Sequence, residues 1–308
     1  MINYYQTFDN KFQKCDTCPV DSWINCIAPT EKEIKFLSSK FNIEQNFLKS
    51  ALDEQESSRI DTDNEITLIV IDCPVVDKSE KNLIYYTMPL SIFLTKENVI
   101  TVSVKNIEIL NALISGKVPN AQTKDRTRFI LNVILYATGK YLSYLNQIIK
   151  TSDRIERSLS KSMKNKNLIQ LLKIEKSLVY FSSSLKTSKV TVEKLFRGKF
   201  LTLHEDDREL LDDVLIEIKQ AIEMSDTYLN ITTGIMEAFA SIISNNLNIV
   251  MKILASLTLI ISIPTVISGI YGMNTPNFPM MDHWWFPVSL SFILMCLAYI
   301  MLKKKDMI

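Results

Sequence analysis

A chain of 308 residues is long enough for a sizeable folded core with a membrane anchor added. Its 35 Lys and Arg nearly cancel 34 Asp and Glu, and the net charge of +1 gives no support to a nucleic-acid binder, whose affinity rests on neutralising phosphates. The balance hides an asymmetry: between Glu237 and Asp282 the only charged residue is Lys252. The two parts of the chain are built for different solvents.

The first ten residues, MINYYQTFDN, lack a basic stretch followed by an apolar run, so they do not read as a secretory signal, and the chain is expected to begin in the cytosol. Cys15 and Cys18 form a CxxC pair with Cys26 close behind. A second CxxC is missing, the histidines are His204 and His283 alone, and the five cysteines are an odd number. Reduced thiols are therefore expected in preference to a zinc or redox centre.

Residues 1–121 read as a cytosolic α/β domain. Thr30 with Glu33 has the spacing of a capping box and opens a helical pattern, EKEIKFLSSKFNI, followed by a second, EQNFLKSALDEQ. Residues 67–76, TLIVIDCPVV, are apolar and β-branched and predict a buried strand ending at Pro74. Residues 83–104 predict two more strands joined by a turn at Lys96, Glu97 and Asn98. Between Pro119 and Pro264 there is no proline, and three long helices are predicted at 122–160, 166–198 and 205–272. Residues 122–248 form the cytosolic stalk. The last helix, of more than sixty residues, would be a rod about 100 Å long at 1.5 Å per residue.

Residues 253–270 carry no charge, nor do residues 284–302, and each stretch is long enough to cross a hydrocarbon layer about 30 Å thick. The predicted order is a first transmembrane helix at 249–273, an external loop at 274–283, a second transmembrane helix at 284–302, and a basic tail at 303–308. Trp284, Trp285 and Phe286 suit an interfacial aromatic belt. Lys252 precedes the first span and Lys303, Lys304 and Lys305 follow the second, while the connecting loop has neither Lys nor Arg. Both termini are then cytoplasmic in a multi-pass protein of the cell membrane.

Steps of three and four along the first span pick out Gly234, Glu237, Ser241, Ser244, Asn248, Met251, Ala255, Thr258, Ser262, Thr265, Gly269 and Gly272, nearly all small or polar. Small residues mediate close helix packing in lipid. A polar seam also suits a water-filled path among several parallel copies, and its continuation into the cytosolic part through Glu237 and Ser244 favours the path. Two spans per chain cannot enclose a pore, so conduction requires a closed oligomer. Met251 and Leu254 are the bulky apolar pair at the cytosolic mouth, where a ring of such residues can gate by dewetting.

The first span ends in Tyr271-Gly272-Met273-Asn274. Placed there, with a Lys-rich tail after a second span, this sequence resembles the CorA family of magnesium transport proteins, whose signature is Gly-Met-Asn at the outer end of the first of two C-terminal membrane helices. The resemblance covers most of the chain. It implies a funnel-shaped homopentamer with an α/β cytosolic domain, long helices and a two-helix membrane domain, through which Mg2+ enters the cell under control of cytosolic Mg2+. Co2+ and Ni2+ are further candidate cargoes. Gly272, Met273 and Asn274 would form the selective entrance, with Asn248 and Thr265 at pore-facing positions. Asp213, beside Asp212, matches a regulatory metal-binding acid, whose partner would come from among Asp53, Asp61, Asp63 and Glu65. Two departures stand out: Asp282 is the only acid in the outer loop, and Ser262 occupies a position often filled by a large apolar residue.

Two alternatives are a zinc or other divalent-cation transporter of the same superfamily and a non-transporting membrane scaffold. Met273 argues against the first and the polar seam against the second. No phosphate-binding glycine loop, nucleophile elbow or HExxH appears, so neither an enzyme nor an organic cofactor is expected.

Overall fold

The computed structural model describes residues 1–9, 11–63, 66–77, 84–161, 165–197, 200–201, 203–273, 280 and 283–307. They form two compact units, residues 1–234 and 235–308.

The first unit is built on a seven-stranded sheet in the order β2-β1-β3-β7-β6-β5-β4. Its strands are β1 (Ile2–Phe8), β2 (Lys11–Cys15), β3 (Trp23–Ile27), β4 (Arg59–Asp63), β5 (Ile66–Asp77), β6 (Ile84–Leu94) and β7 (Val99–Ser103). β3 and β7 run parallel and the other neighbours antiparallel. Side chains alternate across β5: Leu68 and Val70 join one buried cluster, and Ile69, Ile71 and Cys73 join the other. The first cluster is closed by α1 (Glu31–Phe41) and α2 (Gln45–Ser50) through Ile34, Leu37 and Leu48. The second is closed by α3 (Glu108–Ile114), α4 (Arg126–Lys161), α5 (Asn165–Arg197) and the start of α6 (Glu205–Tyr271), through residues such as Phe129, Val192 and Leu211. The sheet thus has a helical layer on each face.

Local chemistry sets several boundaries. Thr30 caps α1 with the reciprocal Glu33 bond that its spacing predicts, and Asn42 ends the helix in the left-handed region at φ 54°. Pro74 does not end its strand, because β5 continues to Asp77. The reason lies in hydrogen bonding. The Asp72 N–H points away from β6 to Ser58 Oγ at 3.1 Å. Two residues on, the nitrogen of Pro74 faces the same side, beyond the last β4 partner at Val70, so no ladder bond is lost.

The second unit holds the remainder of α6 and α7 (Trp285–Lys304), both of membrane length and apolar composition.

Candidate functional site

The polar row of α6 is laid out by helical geometry. In the apolar segment the buried residues are Ser256 and Ile267, with Ile260, Ile263 and Tyr271 half-buried in the same register. This row faces α7: the Ser256 hydroxyl donates to the carbonyl oxygen of Met307 at 3.3 Å, and the Tyr271 and Phe286 rings lie 6.1 Å apart. A cavity of about 520 Å3 lies between the C-terminal end of α6 and the N-terminal end of α7, lined by Pro264, Ser268, Pro287 and Ser291 among others. At about 100° per residue, the row Thr258, Ser262, Thr265 and Gly269 lies on the opposite side of α6 from the row that meets α7.

Every described seam residue in this unit is exposed on the single chain, from Glu237, Ser241, Ser244, Asn248, Met251 and Ala255 to Thr258, Ser262, Thr265, Gly269 and Gly272, and Met273 beside them is exposed too. Met251 and Leu254, the expected apolar constriction, are 55% and 56% exposed. Asn274 and Asp282, like Glu65, lie outside the described residues. The face turned to α7 was missed by sequence reasoning, although its spacing of three and four was there to find.

The seam hydroxyls have a common bonding pattern. Thr258 Oγ1 donates to the Leu254 carbonyl at 2.8 Å, Ser262 Oγ to the Leu259 carbonyl at 2.8 Å, and Thr265 Oγ1 to the Ile261 carbonyl at 3.4 Å. Each hydroxyl hydrogen is committed to its own helix, so its oxygen offers lone pairs outward. Such a row accepts hydrogen bonds. At its C-terminal end the Gly272 N–H closes on the Ser268 carbonyl at 2.9 Å, and a Cβ at Gly272 would meet that oxygen at 3.1 Å. A side chain here would press on the last helical turn.

In the first unit Asp212 and Asp213 are both exposed on α6. Glu217, one turn on, is half-buried; its carboxyl is raised by burial first and by the Asp213 charge second. Asp53, Asp61 and Asp63 lie in the loop before β4 and in β4 itself, and Asp61 pairs with Arg59 at 3.3 Å. Among the described residues no three Asp, Glu, His or Cys side chains gather as a metal site. The donor chemistry of Asp212 and Asp213, hard carboxylate oxygen, suits Mg2+. All five cysteines are free, with Cys26 and Cys73 buried.

A seven-stranded α/β unit is followed by three helices of 36, 33 and 67 residues, and the last of these, like α7 after it, holds a stretch long and apolar enough to cross a membrane, the layout of a membrane protein with a large α/β domain. Comparison with known proteins makes the class specific. Residues 21–304 match the family described as CorA-like Mg2+ transporter protein. The cobalt/magnesium transport protein CorA of Methanocaldococcus jannaschii is 31% identical over 287 residues, spanning 90% of this chain and 89% of that protein. The magnesium transport protein CorA of Campylobacter jejuni is 25% identical over 296 residues, 92% of this chain and 90% of that one. The complete structure of the CorA magnesium transporter from Methanocaldococcus jannaschii matches with a TM-score of 0.80 at 26% identity, covering 99% of this chain and 96% of that one. The chain belongs to the CorA-like Mg2+ transporter family.

Proposed function

We propose that this protein conducts hydrated Mg2+ into the cell along the seam of α6, in a closed oligomer of five copies with both termini in the cytoplasm. The observation that carries the reading is the row of outward lone pairs on Thr258, Ser262 and Thr265. Mg2+ sheds its water reluctantly, and the waters around it present hydrogens outward. A path for the hydrated ion needs hydrogen-bond acceptors of no net charge, and the seam supplies them. Family membership supports the same cargo, and the cobalt/magnesium name of the Methanocaldococcus jannaschii relative puts Co2+ among the ions to be tested.

In this reading Gly272, Met273 and Asn274 form the entrance, where a ring of Asn side-chain oxygens meets the hydrated ion. Met251 and Leu254 form the apolar constriction near the cytosolic mouth. Entry needs no chemical step, since an elementary charge moving down the membrane potential gains about 2.3 kcal/mol per 100 mV and a divalent ion about twice that. Asp213, with Asp212, offers oxygen to a regulatory Mg2+ that a neighbouring copy would complete. The ion holds the neighbouring copies together and so favours the closed pore.

The test is Mg2+ entry into proteoliposomes loaded with a Mg2+-sensitive dye, comparing the parent with Asn274→Ala. Entry in the parent and its loss in the variant support the reading. A well-folded parent that admits no Mg2+ sinks it.

A further inference from the structure

Asp72 on β5 is 8% exposed, and hydroxyls hold its carboxyl. Ser58 Oγ donates to Oδ2 at 3.1 Å, and the Asp72 N–H donates back to that hydroxyl at 3.1 Å. Ser58 in turn shares a hydrogen bond of 3.1 Å with Ser188 on α5. Ser184, about one turn earlier on α5, lines the same cavity as Asp72 and donates to Thr87 of β6 at 3.0 Å. From α4, the Tyr141 hydroxyl donates to the Asp72 carbonyl oxygen at 3.2 Å. One carboxyl thus joins a hydroxyl chain that ties β5 to α5. A cavity of about 160 Å3, lined by Asp72, Glu54, Glu56, Ser184 and Thr187 among others, borders it.

We propose that Asp72 is a proton-operated latch between β5 and α5: the protonated carboxyl seats α5 on the sheet, and ionisation loosens that seat.

Among the described residues, the groups facing Asp72 give its charge no cationic partner. Ahead of β4, the cavity acids Glu54 and Glu56 are themselves paired, Glu54 with Lys105 at 2.9 Å and Glu56 with Arg59 at 3.2 Å, so these two cations are held by other acids. On β5 the neighbouring Cys73 thiol is buried and pushed up, and on α4 Tyr141 is pushed well above its ordinary value, in both cases by burial first and by the Asp72 charge next; each stays neutral near pH 7. From α5 come the hydroxyls of Ser184, Thr187 and Ser188 and the Tyr180 phenol. Burial raises the Asp72 carboxyl from 3.8 to about 6; Ser58 and Ser184 oppose the shift and the Glu56 charge adds to it. A carboxyl raised in the folded state contributes most below its unfolded value, and that contribution is lost as pH rises through about 6. Acidification therefore tightens the α5 seat. An Asn would serve the same hydroxyls without the charge, so Asp at this position makes the contact responsive to protons at a cost in stability near neutral pH.

The test is hydrogen exchange of the α5 amides from Ser177 to Val192 in the full-length protein in lipid nanodiscs, corrected for intrinsic rates, at pH 5 and 7.5. In the parent the opening constant of this segment should rise about tenfold between the two. Asp72→Asn should hold the low-pH value at both. A parent with equal opening at both pH values, or a variant that keeps the rise, overturns the proposal. Should Asp72→Asn fail to fold, Glu56→Gln removes the acid that acts on Asp72 from the cavity rim. The midpoint of the rise must then move to lower pH, and an unmoved midpoint overturns the assignment.

Discussion

Thr258 gives its hydroxyl hydrogen to the Leu254 carbonyl one turn back, at 2.8 Å, while its side chain stands on the exposed face of α6. The residue thereby becomes a hydrogen-bond acceptor toward whatever occupies the seam. Thr258→Val keeps the shape and deletes that oxygen. A net hydrogen bond is worth about 1 kcal/mol, or roughly a fivefold rate effect, so Mg2+ entry into liposomes should fall by about that factor for each acceptor lost per subunit. Ser262→Ala should act alike. Unchanged entry in both variants would remove the seam hydroxyls from the conduction path.

The two glycines of the outer segment separate helix closure from pore width. Apart from the backbone of its own helical turn and its chain neighbours, nothing among the described residues lies within 4 Å of where a Cβ would stand at Gly269, whereas at Gly272, just past the helix end, a Cβ would stand 3.1 Å from the Ser268 carbonyl oxygen. Alanine is favoured over glycine inside a helix by about 1 kcal/mol. Gly269→Ala should therefore preserve or raise thermal stability while reducing Mg2+ entry, because in the proposed oligomer that methyl would face neighbouring copies and the ion. Gly272→Ala should lower entry and also disturb the helix end, visible as altered chemical reactivity around Met273. If Gly269→Ala conducts like the parent, the glycine does not line the path.

How far the sequence led depended on how local each signal was. The long helices were legible within four residues because a proline-free stretch and isolated glycines leave little else for the backbone to do. The capping box was legible because both partners lie within three residues. β1, β2, β3 and β4 were not: their short runs mix polar and apolar residues, and their strand character comes from ladders such as Trp23↔Val99, far apart in sequence. The seam was legible by periodicity; the reason its hydroxyls point their lone pairs outward needed coordinates. Asp72 was hidden inside an apolar run, because its partner Ser58 and the Ser188 hydroxyl bonded to it come from distant elements.

The α1 cap makes a prediction about pH. The backbone N–H of Thr30 donates to Glu33 Oε2 at 2.8 Å and holds the carboxyl below its ordinary 4.5, with further help from the chain's amino terminus. A depressed carboxyl stabilises fully above its unfolded value, and the gain is lost as pH falls through the folded one. Glu33→Gln should therefore flatten the loss of thermal stability below about pH 4.5 that belongs to this helix. Thr30→Ala should cost about 1 kcal/mol near neutral pH by removing the other half of the box. Thermal melts of the two variants across pH 3 to 7 decide it, and identical profiles for Glu33→Gln and the parent would count against the cap as a titrating element.

The burial of Core aromatics predicts where stability resides. Phe181 on α5 is fully buried, edge-on to Tyr141 of α4 at 4.9 Å and to Tyr85 of β6 at 6.1 Å, so it joins three elements. Phe181→Ala should destabilise the first unit by about 3 to 5 kcal/mol through lost burial and a residual cavity. A loss below about 1 kcal/mol in chemical denaturation would mean that α5 collapses onto the sheet without it.

Asp213 tests regulation separately from conduction. It is exposed, and its charge adds to burial in raising Glu217 one turn away. A cation held by Asp213 would relieve that repulsion, so Mg2+ binding and the ionisation of Glu217 should favour each other. With the cytosolic face turned inward, millimolar Mg2+ inside the liposomes should slow entry in the parent. In Asp213→Ala the internal Mg2+ required should rise by about tenfold, equivalent to about 1.4 kcal/mol of lost binding, while entry into Mg2+-free liposomes stays at the parent rate. Asp212→Ala should show a smaller shift if Asp213 is the direct ligand. Equal inhibition of the parent and both variants would place the regulatory ion elsewhere and leave the α6 seam as the path, so the two readings fail independently.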